Sequence, residues 1–319
     1  MKSLVTKQTS KSLLNVTNKL LARRGLLTNN ITEWMLDLWK WADENNIPKL
    51  TWKLNHLEVD GGYFIGLPRD AHTLLKLKKL NLDKLNITTL PKELGFLETL
   101  ESLSLNQNQI KKLPNTISKL KNLKHLSLFK NKLIKIPTEI ESLKKLEHLE
   151  LSENSIDFID VELFEELKNL KKLYLQGNLL EEIPSDIEKI ISLEELELRD
   201  NTLTFLPEEI SKLKNLKRLD LSLNKLESFP ETMGDLQSLD FINIIDNNLK
   251  KFPSSIVKLK KLTRFYMSEV MNLTLDEEQK EWLIDIREFG CSFSQSEKVD
   301  HHIYTLLLFY DRRGNLIGR

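Results

Sequence analysis

The sequence predicts an α/β solenoid: a curved horseshoe with a parallel β-sheet on its concave side and a helical cap at each end. Proline, asparagine and leucine all recur in one register. Eight of the nine prolines (Pro68, Pro91, Pro114, Pro137, Pro184, Pro207, Pro230 and Pro253) fall 23 residues apart, with one place skipped between Pro137 and Pro184. Asn108, Asn131, Asn154, Asn178, Asn201, Asn224 and Asn247 keep the same phase. Between them runs a fixed skeleton, as in Leu100-x-x-Leu103-x-Leu105-x-x-Asn108-x-Ile110-x-x-Leu113-Pro114. A period in this range marks stacked supersecondary units, because one unit cannot bury its apolar face alone.

That skeleton resembles the leucine-rich repeat, specifically the 23-residue kind with a Leu-Pro-x-x-Ile segment. Similar repeats occur in Ras-group plant leucine-rich proteins, in animal polarity scaffolds of the Erbin and Scribble type, and in bacterial proteins. With the first skeleton leucine as position 1, repeats start at Leu54, Leu77, Leu100, Leu123, Leu146, Leu170, Leu193, Leu216, Leu239 and Leu262. The solenoid is therefore expected over 54–272, about ten repeats with the first and last degenerate. The one 24-residue interval, from Leu146 to Leu170, carries Leu163-Phe164 and has Asp160 in the proline place, which matches another common repeat variant.

Positions 1, 4, 6 and 11 are expected to point into the core, while strand positions between them face outward. In the family the asparagine side chain bonds backbone groups of the turn as a ladder. Gly62, Leu85 and Val270 stand at that place in the outermost repeats, so the ladder should be missing there.

Each open end needs a cover. Residues 30–53 hold Trp34, Trp39, Trp41 and Trp52, and are read as the N-terminal helical cap with Asn30 as N-cap and Glu33 reaching back. Trp34, Leu38 and Trp41 share one helical face. Residues 273–298 are read as the C-terminal cap, with a capping box at Thr274–Glu277 and an apolar face of Trp282, Leu283, Ile286 and Phe289 ended by Gly290. This helix followed by Gly290-Cys291 resembles the terminal cap of bacterial leucine-rich repeat proteins, which implies a bacterial source. Residues 299–319 pattern as a β-hairpin tail.

Residues 1–29 form a basic extension: Lys2, Lys7, Lys11, Lys19, Arg23 and Arg24 with no acidic residue. A cap extension, a membrane-surface or targeting segment, and a docking signal are all compatible with it.

Composition excludes several function classes. Equal totals of 47 basic and 47 acidic side chains argue against a nucleic-acid binder, which needs a basic surface. A single cysteine, Cys291, excludes an intramolecular disulfide. No apolar run approaches the length of a membrane span, and no secretory signal pattern opens the chain. The expected compartment is the bacterial cytoplasm, with delivery into a host cell as the alternative.

No phosphate loop, nucleophile elbow, zinc-protease or kinase motif is present, so no catalytic residue, cofactor or metal site is assigned. His125 and His148 share position 3 of adjacent repeats and are read as surface histidines. The concave face is the expected binding surface. Its apolar and arginine positions are Phe129, Tyr174, Arg199, Arg218, Leu223, Phe241, Ile245, Arg264 and Tyr266; Leu223, Phe241, Ile245 and Tyr266 are expected to converge on three neighbouring strands with Arg199, Arg218 and Arg264 around them. The resemblance implies a non-catalytic, monomeric interaction module for a protein or peptide. A host-directed effector and a regulatory subunit of an enzyme are the alternatives.

Overall fold

The computed structural model describes residues 31–54, 62–267, 273–288 and 292–294. Helix α1 (Glu33–Glu44) comes first. Strands β1 (Thr51–Leu54) and β2 (Gly62–Ile65) then form an antiparallel pair, followed by the short helix α2 (Ala71–Leu75). Strands β3 (Lys79–Asn81), β4 (Ser102–Ser104), β5 (His125–Ser127) and β6 (His148–Glu150) follow at the repeat interval. Helix α3 (Val161–Glu166) precedes β7 (Lys172–Tyr174), β8 (Glu195–Glu197), β9 (Arg218–Asp220), β10 (Phe241–Asn243) and β11 (Arg264–Tyr266). Helix α4 (Glu277–Glu288) and β12 (Ser292–Ser294) end the described part.

Strands β3 to β12 make one parallel sheet in which each strand lies beside its sequence neighbour. The register pairs equal repeat positions, for example Ser102 with His125 and His125 with His148. Skeleton positions fall inward as expected: Leu100, Leu103, Leu105 and Ile110 are fully buried, and most of their equivalents along the solenoid are buried as well. Each such leucine contributes about 1.5–3 kcal/mol of burial.

The asparagine ladder is present from Asn108 to Asn247. Asn131 shows the arrangement: its Nδ2 donates to the carbonyls of Leu105 and Leu128 at 3.0 and 3.1 Å, and its Oδ1 accepts from the Ile110 amide at 3.0 Å. Backbone groups turned away from the strand ladder are thereby satisfied inside the core. On the convex side, prolines lead into short 3-10 turns such as Asn115–Lys119. In the 24-residue repeat Asp160 instead leads into α3, whose Phe164 is fully buried.

Three expectations need correction. The repeat predicted from Leu54 supplies no strand to the parallel sheet. Its flanks pair as β1 and β2, and the Gly66 amide beyond β2 donates to the Asn81 carbonyl at 2.9 Å. Gly62 offers no side chain for the ladder, and the hairpin protects the sheet edge instead. The tenth strand is β12, which lies in the C-terminal cap.

Helix α1 starts two residues later than the Asn30 reading, with Thr32 as N-cap and no side-chain cap bond. This phase turns Met35, Leu38 and Ala42 inward, while Trp34 and Trp41 pack at the margin. Trp39 and Trp41 donate their indole N–H groups to the carbonyls of Pro68 and Thr89. The second capping box is likewise two residues later. The Gln279 amide donates to Asp276 Oδ1 at 2.8 Å, and the Asp276 amide to Gln279 Oε1 at 3.2 Å. Trp282, Leu283 and Ile286 do form the buried face of α4, with Trp282 edge-on to Phe252 and Phe265. Residues 1–29, Phe289 to Cys291, Val270 and the 299–319 hairpin lie outside the described residues.

Candidate functional site

The concave face is built by three outward rows: positions 3 and 5 within each strand and position 7 just after it. In the first repeats these groups satisfy one another. Asp83 Oδ1 accepts from Ser104 Oγ and the Asn106 amide, both at 2.7 Å. Asn106 Oδ1 accepts from Ser127 Oγ at 2.6 Å and the Phe129 amide at 2.9 Å. Burial pushes the Asp83 carboxyl up, and these bonds pull it part of the way back. Phe129 is half-buried and stands alone among polar neighbours.

The middle strands carry the histidines. His125 and His148 meet edge to face with ring centroids 4.4 Å apart. Burial, and then the charge of His125, lower the His148 pKa. Glu150 accepts only local bonds from Ser152, and burial raises its carboxyl. Tyr174 donates its hydroxyl to Glu195 at 2.5 Å, and burial together with that carboxylate drives its pKa up. Burial also pushes Glu195 up, but bonds from Lys172 and Tyr174 and the charge of Arg218 outweigh it and hold Glu195 low. The side-chain oxygens Ser152 Oγ and Gln176 Oε1, at position 7 of adjacent repeats, are buried without a partner. Among the described residues no group of three or more His, Cys, Asp or Glu converges as a metal site would need.

The last repeats differ. Arg218 pairs with Glu197 and lays its guanidinium on the Phe241 ring, 3.6 Å from the centroid. Arg264 approaches the same ring at 5.0 Å, and Tyr266 meets it edge-on at 5.4 Å. Phe241 is consequently only 3% exposed. The sequence reading made Phe241 a solvent-facing anchor; its neighbours cover it. Beneath the cluster, Asp220 accepts from Ser222 Oγ and from Asn243 Nδ2, and the Ile245 amide is held by Asn243 Oδ1 at 3.2 Å. Burial raises the Glu197 carboxyl, and Arg218 opposes that rise.

Leu223, Ile245 and Tyr266 remain half-exposed, and Arg199 and Arg264 are exposed. The Leu223 amide donates to the Ile245 carbonyl at 2.8 Å, which places these two side by side. Leu223 also has φ 55°, the left-handed conformation that this repeat position adopts throughout with Lys, Gln, Glu, Asp or Gly in place of leucine. A leucine there carries a backbone cost that polar residues and glycine bear more easily.

Arg218, Phe241, Arg264 and Tyr266 thus come together, and Leu223 lies beside Ile245 on the same repeats; Phe129 and Tyr174 lie strands away. Sequence reasoning missed Ser222 and Asn243 as the polar floor of the cluster. Their signal was local: Asp220 and Asn243 each precede by two residues the amide that they bind.

Family models match as Leucine-rich repeat region over residues 68–179, Leucine Rich Repeat over 169–190 and Leucine rich repeat over 191–249. The chain belongs to the leucine-rich repeat family. Among solved structures it is similar to the leucine-rich repeat protein LIC12759 of Leptospira interrogans, at 36% identity and a TM-score of 0.57 over 72% of this chain. This chain spans 63% of that protein. An internalin (inlF) of Listeria monocytogenes shares the fold at 22% identity and a TM-score of 0.62, over 75% of this chain and 68% of its own. The ectodomain of the Arabidopsis thaliana receptor kinase GASSHO1/SCHENGEN3, solved with CASPARIAN STRIP INTEGRITY FACTOR 2, matches at 26% identity and a TM-score of 0.54. That match covers 70% of this chain and 31% of the receptor. A search of curated proteins gives no match. No helix among the described residues is long and apolar enough to cross a membrane.

Proposed function

We propose that this chain is a non-catalytic interaction module that binds a protein or peptide on the concave face of its last repeats. Leu223, Ile245 and Tyr266 supply apolar contact, and Arg199 and Arg264 orient the ligand. The carrying observation is Leu223 at φ 55°: a position that favours polar residues or glycine holds a leucine, set beside two other half-exposed apolar side chains. Phe241 and Arg218 support this surface from below. Acidic neighbours Glu195, Glu197 and Asp220 are engaged by cations or hydrogen bonds, Arg264 is paired with Asp240 at 3.5 Å, and Asp200 and Asp246 flank the patch, so the surface suits a partner of mixed charge.

The Leptospira likeness and the cap resemblance support a bacterial setting, with the protein acting as a monomeric scaffold in the cytoplasm. Delivery into a host is the second setting, and it rests on the basic residues 1–29. Affinity capture from bacterial and host lysates, followed by titration of the captured protein, tests the surface. An Ile245→Asp/Tyr266→Asp double variant that stays folded should lose at least tenfold in affinity. Unchanged affinity would move the site off these repeats.

A further inference from the structure

Eight large apolar side chains are conspicuously exposed among the described residues, and five of them lie along one edge of the middle repeats. Ile134, Phe158, Val161, Leu179 and Phe205 are 40–67% exposed. Ile134, Phe158, Leu179 and Phe205 belong to the segment that leaves the asparagine turn and runs to the convex side, and Val161 opens α3 at the end of that segment, in the four successive repeats from Leu123 to Leu193. Neighbouring segments are tied by backbone bonds, Ser155 to Leu133, Leu179 to Ile156 and Thr202 to Leu180, so the five lie along one edge of successive repeats. An apolar run of this kind adds nothing to the core and marks a covered or contacted surface.

From Phe158 to Phe205 the charge along the stripe is one-sided, whereas Ile134 sits between Lys132 and Lys135. Asp157, Asp160, Glu162, Glu181 and Glu182 accompany it, and the same stretch of the three repeats from Leu146 to Leu193 contains no lysine or arginine. Crowding is felt nearby: burial, followed by the charges of Glu162 and Asp160, raises the Glu141 carboxyl. On either side the character reverses, with Lys132 and Lys135 around Ile134 and Lys111 and Lys112 one repeat before it, and with Lys225 one repeat and Lys250 and Lys251 two repeats beyond Phe205. The edge therefore selects a segment that is both apolar and basic.

The chain itself contains one. Residues 1–29 carry six basic and no acidic side chains, interspersed with Leu13, Leu14, Leu20 and Leu21. The rest of the chain has six more acidic than basic residues. The segment enters α1, whose Trp41 donates to the Thr89 carbonyl on this same edge of the repeat from Leu77. From there to Phe205 is five repeats, about 25 Å at the strand spacing. Twenty-nine residues reach about 95 Å when extended, so length is no obstacle. We propose that the acidic, apolar edge of the middle repeats is the docking surface for residues 1–29 of this chain, leaving the concave face free. This proposal is independent of the concave-face reading.

Hydrogen–deuterium exchange on the full chain tests it with two variants. Phe158→Asp/Phe205→Asp alters only exposed positions, and Lys19→Glu/Arg23→Glu/Arg24→Glu alters only the segment. Amides within 1–29 should exchange at least tenfold more slowly in the parent chain than in either variant, at every protein concentration. Unprotected exchange in the parent chain overturns the proposal, leaving the edge to a partner protein. Equal protection in parent and variants overturns it by placing the segment elsewhere. Protection that grows with protein concentration overturns it in favour of a second copy.

Discussion

The concave faces of the first and last repeats rest on the same skeleton and solve the problem of outward side chains differently. Around β3 to β5, Asp83, Ser104, Asn106 and Ser127 bond one another across strands, and little is left to offer a ligand. Around β9 to β11, the polar groups retreat into a floor of Asp220, Ser222 and Asn243, above which arginines lie on an aromatic ring. A repeat protein can therefore hold its core constant and assign surface roles strand by strand.

If the halves differ only on the outer face, their ladders should be energetically alike. Asn131→Ala and Asn224→Ala each remove three bonds to backbone carbonyls and strand a buried amide, of Ile110 and Leu203 respectively. Each should cost about 3 kcal/mol in urea unfolding. A gap above about 1 kcal/mol between them would break the comparison.

The outer faces should separate next. Phe241→Ala removes a ring covered by Arg218, Arg264 and Tyr266 and should cost about 2–3 kcal/mol. Phe129→Ala, at a half-buried site with no such cover, should cost less than about 1 kcal/mol. Equal losses would mean that the arginine stack contributes nothing beyond contact area.

Smaller effects sharpen the picture. Glu150→Gln keeps the acceptor for the Ser152 amide and removes a desolvated charge. Because burial raises the folded-state pKa, the folded chain binds the extra proton, and this residue's contribution is lost as pH rises from 4.5 through the raised value. The variant should therefore gain up to about 1 kcal/mol at pH 7 and nothing below pH 4.5, read from thermal melts across pH. His148 has the opposite sign: its lowered pKa makes stability fall as pH drops below 6.5, and His148→Gln should flatten that loss. Smallest is Leu223→Gly, which relieves the left-handed leucine and should change stability by only about 0.5–1 kcal/mol, in the favourable direction, while weakening ligand capture. A stability loss with affinity intact would assign Leu223 to packing instead.

Much of the fold was legible because inward positions repeat. Leucine, asparagine and proline at fixed places gave the strands, the ladder and the convex turns, and Asp160 in the proline place marked the repeat that forms α3. The ends were legible only as apolar helices. Their caps lie two residues later than the motif suggested, because burial of Met35 and Gln279 fixed the helical phase. The strand pairing of β1 with β2 was hidden, since Gly62 breaks the repeat without naming its replacement.

At the site, sequence brought together Arg218, Phe241 and Arg264 through register alone, because equal positions in successive repeats must be neighbours. Whether Arg218 reaches toward solvent or folds over Phe241 is a choice among side-chain orientations. It is made by Glu197 on one side and by Arg264 and Tyr266 on the other, residues one and two repeats away in the chain. Periodicity determined the scaffold, since each repeat states the same inward pattern. Only the packed structure decided which outward side chains stay open, because that depends on contacts between strands that no single repeat contains.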